Sequence, residues 1–327
     1  MIPHKFKNWV KVDKLDNSGL SMNQNAVYYL SKNKHLIDRQ LIIANDSAYI
    51  LLDELIKKNE IDIGSASISN HPDIELLYKN NKSISLDFFW LSGNRNAINL
   101  LNTNNSSINY SEISGNPGAI DIIQNLSEDR IDYTELSRNP NAIKILKGQK
   151  DKIDWSVLSG NSKAIRLLSK NPDKIDFENL SYNYNIDHPL LYKIIRDNLD
   201  KLDWSELSAN PAAINILIDN FDRIDWDMLC QNPNGVMLLS YYPEKINWSI
   251  LSANYEASEL FEENVDKIDW FYISSNPCIF ELDYETMKNN LKFMRFDLMK
   301  AVWLNTIYNM TEIDLAEDIT NIIISFI

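Results

Sequence analysis

The sequence predicts an all-α chain, an α-solenoid of about twelve two-helix repeats with N- and C-terminal caps. Three observations predict it. One motif of about 22 residues recurs through most of the 327 residues. Each copy carries two helix-start signals. A single copy is too small to fold alone: ordering it costs on the order of 20 to 40 kcal/mol, and five or six buried apolar side chains return about 1.5 to 3 kcal/mol each. Stacking on neighbours has to supply the rest, the condition that defines a repeat array.

Aligned on an Asn that closes the tripeptide S-x-N in most copies, the units fall at Asn23, Asn45, Asn70, Asn94, Asn116, Asn139, Asn161, Asn183, Asn210, Asn232, Asn254 and Asn276. The 27-residue interval after Asn183, which holds His188 and Pro189, is the place where a bend is expected. Residues 1–14 are expected to cap the first repeat with Phe6, Trp9 and Val10. Residues 15–283 form the repeats, and 284–327 a C-terminal helical cap or tail. There Met287, Leu291, Met294 and Leu298 share a helical spacing, and a second amphipathic stretch from Thr311 runs into Ile322–Ile327. With helices packed about 8 to 10 Å apart, an open array of twelve units is about 100 to 120 Å long.

Helix A starts at the Asn, a good N-cap, with Pro in the first helical position at Pro117, Pro140, Pro211, Pro233 and Pro277. Its stripe is apolar at the third, fourth, sixth and seventh positions after the Asn. Helix B, about six residues, starts at Asp16, Asp38, Asp62, Asp87, Asn109, Asp132, Asp154, Asp176, Asp203, Asp225, Asn247 and Asp269. Asn replaces Asp twice in this column, which a cap tolerates and a general base does not. Glu112, Glu135 and Glu206 complete capping boxes. A polar link holding Asp and Lys or Arg joins A to the next B.

An aromatic follows the cap in nine copies: Phe88, Tyr110, Tyr133, Trp155, Phe177, Trp204, Trp226, Trp248 and Trp270. Asn17, Arg39 and Ile63 hold that place in the first three. These rings read as wedges between repeats rather than a platform for bases. The invariant Asn is stricter than capping requires, so its amide is expected to accept from its own helix A and donate to a backbone carbonyl or hydroxyl in the next unit.

Catalytic, cofactor-binding and metal sites are not expected. The four histidines, His4, His35, His71 and His188, stand in unrelated contexts. The Ser column at Ser92, Ser114, Ser137, Ser159, Ser181, Ser208, Ser252 and Ser274 therefore has no base. Cys230 lies in that column as a packing residue and is too far from Cys278 for a disulfide. Eight glycines form no phosphate-binding loop. A net charge of −14 disfavours nucleic acid, and nothing in the sequence reads as a secretion signal or a membrane span.

The pairing of N-P-x-A-I-x-L-L with D-K-I-D-W-x-x-L-S, strongest from Ile108 to Ile279, resembles the short helical repeat proteins of giant nucleocytoplasmic DNA viruses. Leu298-Met299-Lys300 begins the closing helix of that family, but its His-Pro and Arg positions are Leu304, Asn305 and Ile307 here. The resemblance implies a viral protein, in the host cytoplasm or the virion, with no enzymatic activity. Its expected role is a scaffold for protein–protein interaction with a host or viral protein. The alternatives are a structural component of a giant virus particle, self-associating through the apolar tail, and, less favoured, an enzyme with an unrecognised site.

Overall fold

The computed structural model describes residues 1–61 and 63–292. Among them are 23 α-helices, fourteen 3₁₀ turns and two three-residue strands, so the chain is all-α. No helix of the described residues is long and apolar enough to cross a membrane. The C-terminal cap is described only as the helix Tyr284–Lys292. Asp62, Met294, Leu298, and the whole stretch from Thr311 to Ile327 lie outside the described residues.

The regular units fold as read, with three refinements, and in unit two helix B is reduced to a turn that ends in the 3₁₀ segment Ile42–Ala44. Helix B is short, as in Tyr133–Arg138 or Trp226–Gln231, and its Asp or Asn cap accepts backbone N–H bonds: Asp132 from Thr134 and Glu135, Asn109 from Ser111 and Glu112. The reciprocal half of the capping box is absent, because the cap's own N–H goes to a Ser hydroxyl in the preceding unit, as from Asp132 to Ser114 at 3.1 Å. Helix A does not start at the Asn. A tight turn comes first, the 3₁₀ turn Pro211–Ala213 for example, and the α-helix begins at the fourth position, as in Ile214–Asp219.

The core is a stripe of equivalent residues. Leu136, Leu158, Leu180, Leu207 and Leu229 from helices B meet Ala142, Ala164 and Ala213 and then Leu146, Leu168 and Leu217 from helices A, all fully buried. In most units the third and seventh positions of the A stripe are buried completely and the fourth and sixth in part, while in unit seven Ile165 and Leu167 are buried as well.

In the third unit the register differs from the sequence alignment. The ladder residue is His71, buried and followed by Pro72, while Asn70 is exposed. Helix B there is Ser65–Ser69 with Gly64 at the cap position and Ser65 after it, so Ile63 does not occupy the place assigned to it. His-Pro stands in for Asn-Pro: His71 Nδ1 accepts from the Asp73 N–H at 3.0 Å, as each Asn Oδ1 does two residues on.

The largest departure is at the ends, which are not free. Strand β1, His4–Phe6, pairs antiparallel with strand β2, Phe280–Leu282, in the register His4 to Leu282. Helix B of the first unit, Asn17–Met22, packs on helix B of the twelfth, Trp270–Ser274. The twelfth unit has no helix A. After the turn Pro277–Ile279 the chain enters β2, and residues 1–14 supply what is missing. Phe6 stacks on Phe280 at 4.4 Å, Trp9 lies against Phe261 at 6.3 Å, and Val12–Lys14 forms the usual link turn. Residues 1–14 therefore join the last unit to the first rather than capping an open end.

A head-to-tail contact repeated until it meets its own start makes a ring. Twelve near-equivalent joints of about 30° each complete one turn, and this replaces the expected open array. From unit four onward helices B pack directly side by side, whereas neighbouring helices A are parted by clefts; along the B elements of units two to four a cleft of about 330 Å³ also opens. One cleft of about 400 Å³ lies between Tyr192 and Ile195 of unit eight and Ile216 and Asp219 of unit nine. The more tightly spaced layer of a ring is the inner one, so helices B form the inner wall.

Candidate functional site

The recurring residues are the first candidates for a site, and each is consumed in joining one unit to the next. Eleven ladder asparagines bridge units. Each Oδ1 accepts from the backbone two residues on, and each Nδ2 donates to a carbonyl of the preceding unit. Asn161 Nδ2 donates to Ser137 O at 2.9 Å, and Asn232 Nδ2 to the Ser208 and Asn210 carbonyls, both at 2.9 Å. The two-ended use of the amide is as expected, but the donor points backward along the chain rather than forward. Asn23, in the first unit, therefore has no preceding neighbour except the twelfth, and it donates to Ser274 O at 3.0 Å and Asn276 O at 2.9 Å.

The Ser column is a second ladder. Ser114 donates to the Tyr110 carbonyl at 2.7 Å while accepting the Asp132 N–H, which leaves no hydroxyl free for nucleophilic work. The closing joint repeats the pattern, Asp16 N–H donating to Ser274 Oγ at 2.8 Å. A third ladder runs from the second residue of helix B to the next cap, as from Ser111 to Asp132 at 2.7 Å and Ser249 to Asp269 at 2.7 Å. Where Asp227 replaces that hydroxyl residue, Asn247 replaces the next Asp, and the bond reverses direction at 3.1 Å. The Ser111 hydroxyl, opposed by burial and helped by the N–H groups of Glu135 and Thr134, holds the Asp132 carboxyl below its ordinary value.

The aromatic column does more than wedge. Its rings receive the basic residue of the next unit's link: Arg130 over Tyr110 at 5.0 Å, Lys152 over Tyr133 at 5.0 Å, Arg223 over Trp204 at 5.2 Å and Lys267 over Trp248 at 4.9 Å. Each such contact contributes on the order of 0.5 to 1 kcal/mol. Lys14 lies over Trp270 at 5.8 Å, carrying the same contact across the closing joint. The basic residue was visible in every D-K link, but its partner sits one unit back and is not a sequence neighbour.

The remaining candidates are dispersed. His4 is in β1, His35 in a link turn, and His188 caps helix A of unit eight by accepting from the Leu190 N–H at 3.2 Å. Among the described residues buried His71 has no hydrogen-bond partner at Nε2, and burial, opposed by the charges of Asp73 and Asp46, lowers its affinity for a second proton. Cys230 and Cys278 are free thiols, and burial pushes Cys278 up to about 12. Among the described residues no group of three or more His, Cys, Asp or Glu could hold a metal ion.

The molecule thus defines a class, an all-α ring of short helical repeats whose repeated polar residues are structural. Comparison with protein-family models, curated proteins and solved structures finds no match to the chain.

Proposed function

We propose that the chain is a non-enzymatic repeat scaffold that binds other proteins. On the resemblance of its repeats, we propose further that a giant nucleocytoplasmic DNA virus encodes it and that it works in the cytoplasm of the infected host cell. One observation carries the binding role: every recurrent Asn, Ser, Asp and aromatic column is engaged in unit-to-unit contacts, so a partner meets only the positions that vary. Several of these are large and open to solvent on helices A, among them Tyr192 at 62% exposure, Met237 at 70% and Tyr241 at 68%. Met237 and Tyr241, four residues apart on the helix Val236–Tyr241, share one face, the kind of contiguous apolar surface a partner uses.

The test is affinity capture from infected-cell lysate with the intact protein and with a variant carrying Tyr192→Ser, Met237→Ser and Tyr241→Ser, whose fold is checked by circular dichroism. A partner captured in stoichiometric amount by the first and lost by the second supports the scaffold. Absence of any such partner, together with abundant protein in purified particles, replaces it with the structural-component reading.

A further inference from the structure

We propose that the opening of the ring receives a basic polypeptide segment, a Lys/Arg-rich stretch passing between the helices B. The proposal rests on the scaffold reading and adds to it a place and a partner chemistry.

Counted from the cap of helix B, the fourth and fifth positions are buried and the first is half-buried, which leaves the second, third and sixth pointing away from helix A and into the opening. Across the twelve units these positions hold Glu112, Glu135, Glu178, Glu206 and Asp227. They contain no lysine and one arginine, Arg138, which lies 3.6 Å from Glu135. Lysine and arginine are plentiful elsewhere, in the links and on helices A. The wall is therefore more one-sided than the chain as a whole. Tyr182 stands among these acids: burial first, then the charges of Glu206, Asp203 and Glu178, push its phenol up.

Two edge-to-face aromatic pairs share the wall. Phe89 and Trp90 of unit four have centroids 5.4 Å apart at 83°, and Phe271 and Tyr272 of unit twelve 5.4 Å apart at 81°. Phe271 is 64% exposed, and among the described residues no basic side chain covers either pair, although the link-facing aromatics are covered at several joints. Carboxylates and uncovered ring faces together select cations borne on a chain. With helices about 8 Å apart and about 10 Å across, twelve units leave an opening on the order of 20 Å, wide enough for one α-helix or extended strand. A phosphate backbone would meet like charge along the wall.

The probe is a fluorescein-labelled 20-residue peptide of Lys, Arg and Ala, titrated with the full chain and followed by anisotropy. A peptide with Glu in place of Lys and Arg and a duplex oligonucleotide serve as controls. One variant neutralises the wall (Glu112→Gln, Glu178→Gln, Glu206→Gln). A second makes the same charge change on helices A (Asp219→Asn, Glu259→Gln, Glu262→Gln). A third removes one aromatic pair (Phe271→Ser, Tyr272→Ser). The expected result is a loss of affinity of about tenfold for the first and third, and under about twofold for the second. Equal loss in the two charge variants, no binding by the intact ring, or preference for the duplex overturns the proposal. Partner capture through Tyr192, Met237 and Tyr241 would survive each of those outcomes, so the two readings fail separately.

Discussion

Eleven joints of the ring connect units that follow one another in the chain, and one joint connects units at opposite ends of it. The closing joint is held by the parts found at the regular interior joints: a backward Asn donor, a Ser hydroxyl taking the cap's N–H, and a cation over an aromatic ring. Among the described residues only the closing joint adds a strand pair, with Phe6 stacked on Phe280 and the ion pair Lys5–Glu281 at 3.1 Å. The difference teaches what chain connectivity is worth. At an interior joint the link keeps the two units together while the side chains set their angle. At the closing joint the same side chains have to hold units together that no link tethers, and the strand pair offsets the greater loss of chain entropy.

Two pairs of substitutions and one single change sharpen this contrast. Trp226 packs against Phe221 at 5.3 Å and Tyr242 at 5.4 Å within an interior joint. Trp226→Ala should lower unfolding free energy by about 3 to 5 kcal/mol in urea titration, with the radius of gyration unchanged. Trp270→Ala, facing the closing joint with Lys14 above it, should cost less in that titration and raise the radius of gyration as the ring opens. The same dimensions for both variants in solution scattering would remove the distinction between the joints.

Replacing a ladder Asn by Asp keeps the cap and sets a carboxylate against backbone carbonyls. Asn161→Asp should cost about 2 to 4 kcal/mol and leave the ring closed. Asn23→Asp should open it, which amide exchange in His4–Phe6 would report as loss of protection. Equal thermal stability of Asn161→Asp and the parent protein would refute the donor half of the ladder.

The smallest effect is at the irregular rung. Because burial lowers the pKa of His71, the folded state takes up its proton at lower pH than the unfolded chain does. Its contribution is fully present above the unfolded value of about 6.5 and is lost as pH falls from there toward the folded value. His71→Asn should restore the regular rung, gain about 1 kcal/mol near neutral pH and flatten the stability profile below about pH 6.5, as read from melting temperatures across pH. An unchanged slope there would show that His71 does not set it.

The sequence made the unit legible because each of its local rules is written within a few residues: Asn before Pro, Asp before the aromatic, Leu four positions after the cap. It misplaced the third unit because Asn70 looks like the ladder residue, although His71-Pro72 carries the proline that the turn needs. It did not show closure, because closure is a relation between residues some 250 positions apart. A clue was nonetheless present. Asp13-Lys14-Leu15-Asp16 is a complete link with no helix A before it, and Phe280-Glu281-Leu282 stands where the twelfth helix A should begin. Once the ladder is known to point backward, those two halves can only belong to one unit. The inner wall was hidden for a different reason. Three of its acids, Glu112, Glu135 and Glu206, read in the sequence as capping-box residues, and they become a surface only when the helices are arranged around a common centre.

The divided twelfth unit also fixes how this molecule can change size over evolutionary time. An open array lengthens or shortens by duplicating or losing a copy, and its other joints are unaffected. Here a thirteenth copy would require every joint to relax from about 30° to about 28°. Copy number is therefore a shared property of all joints, and gain or loss of a single copy should be far rarer than the insertions inside a copy that units two and eight already carry.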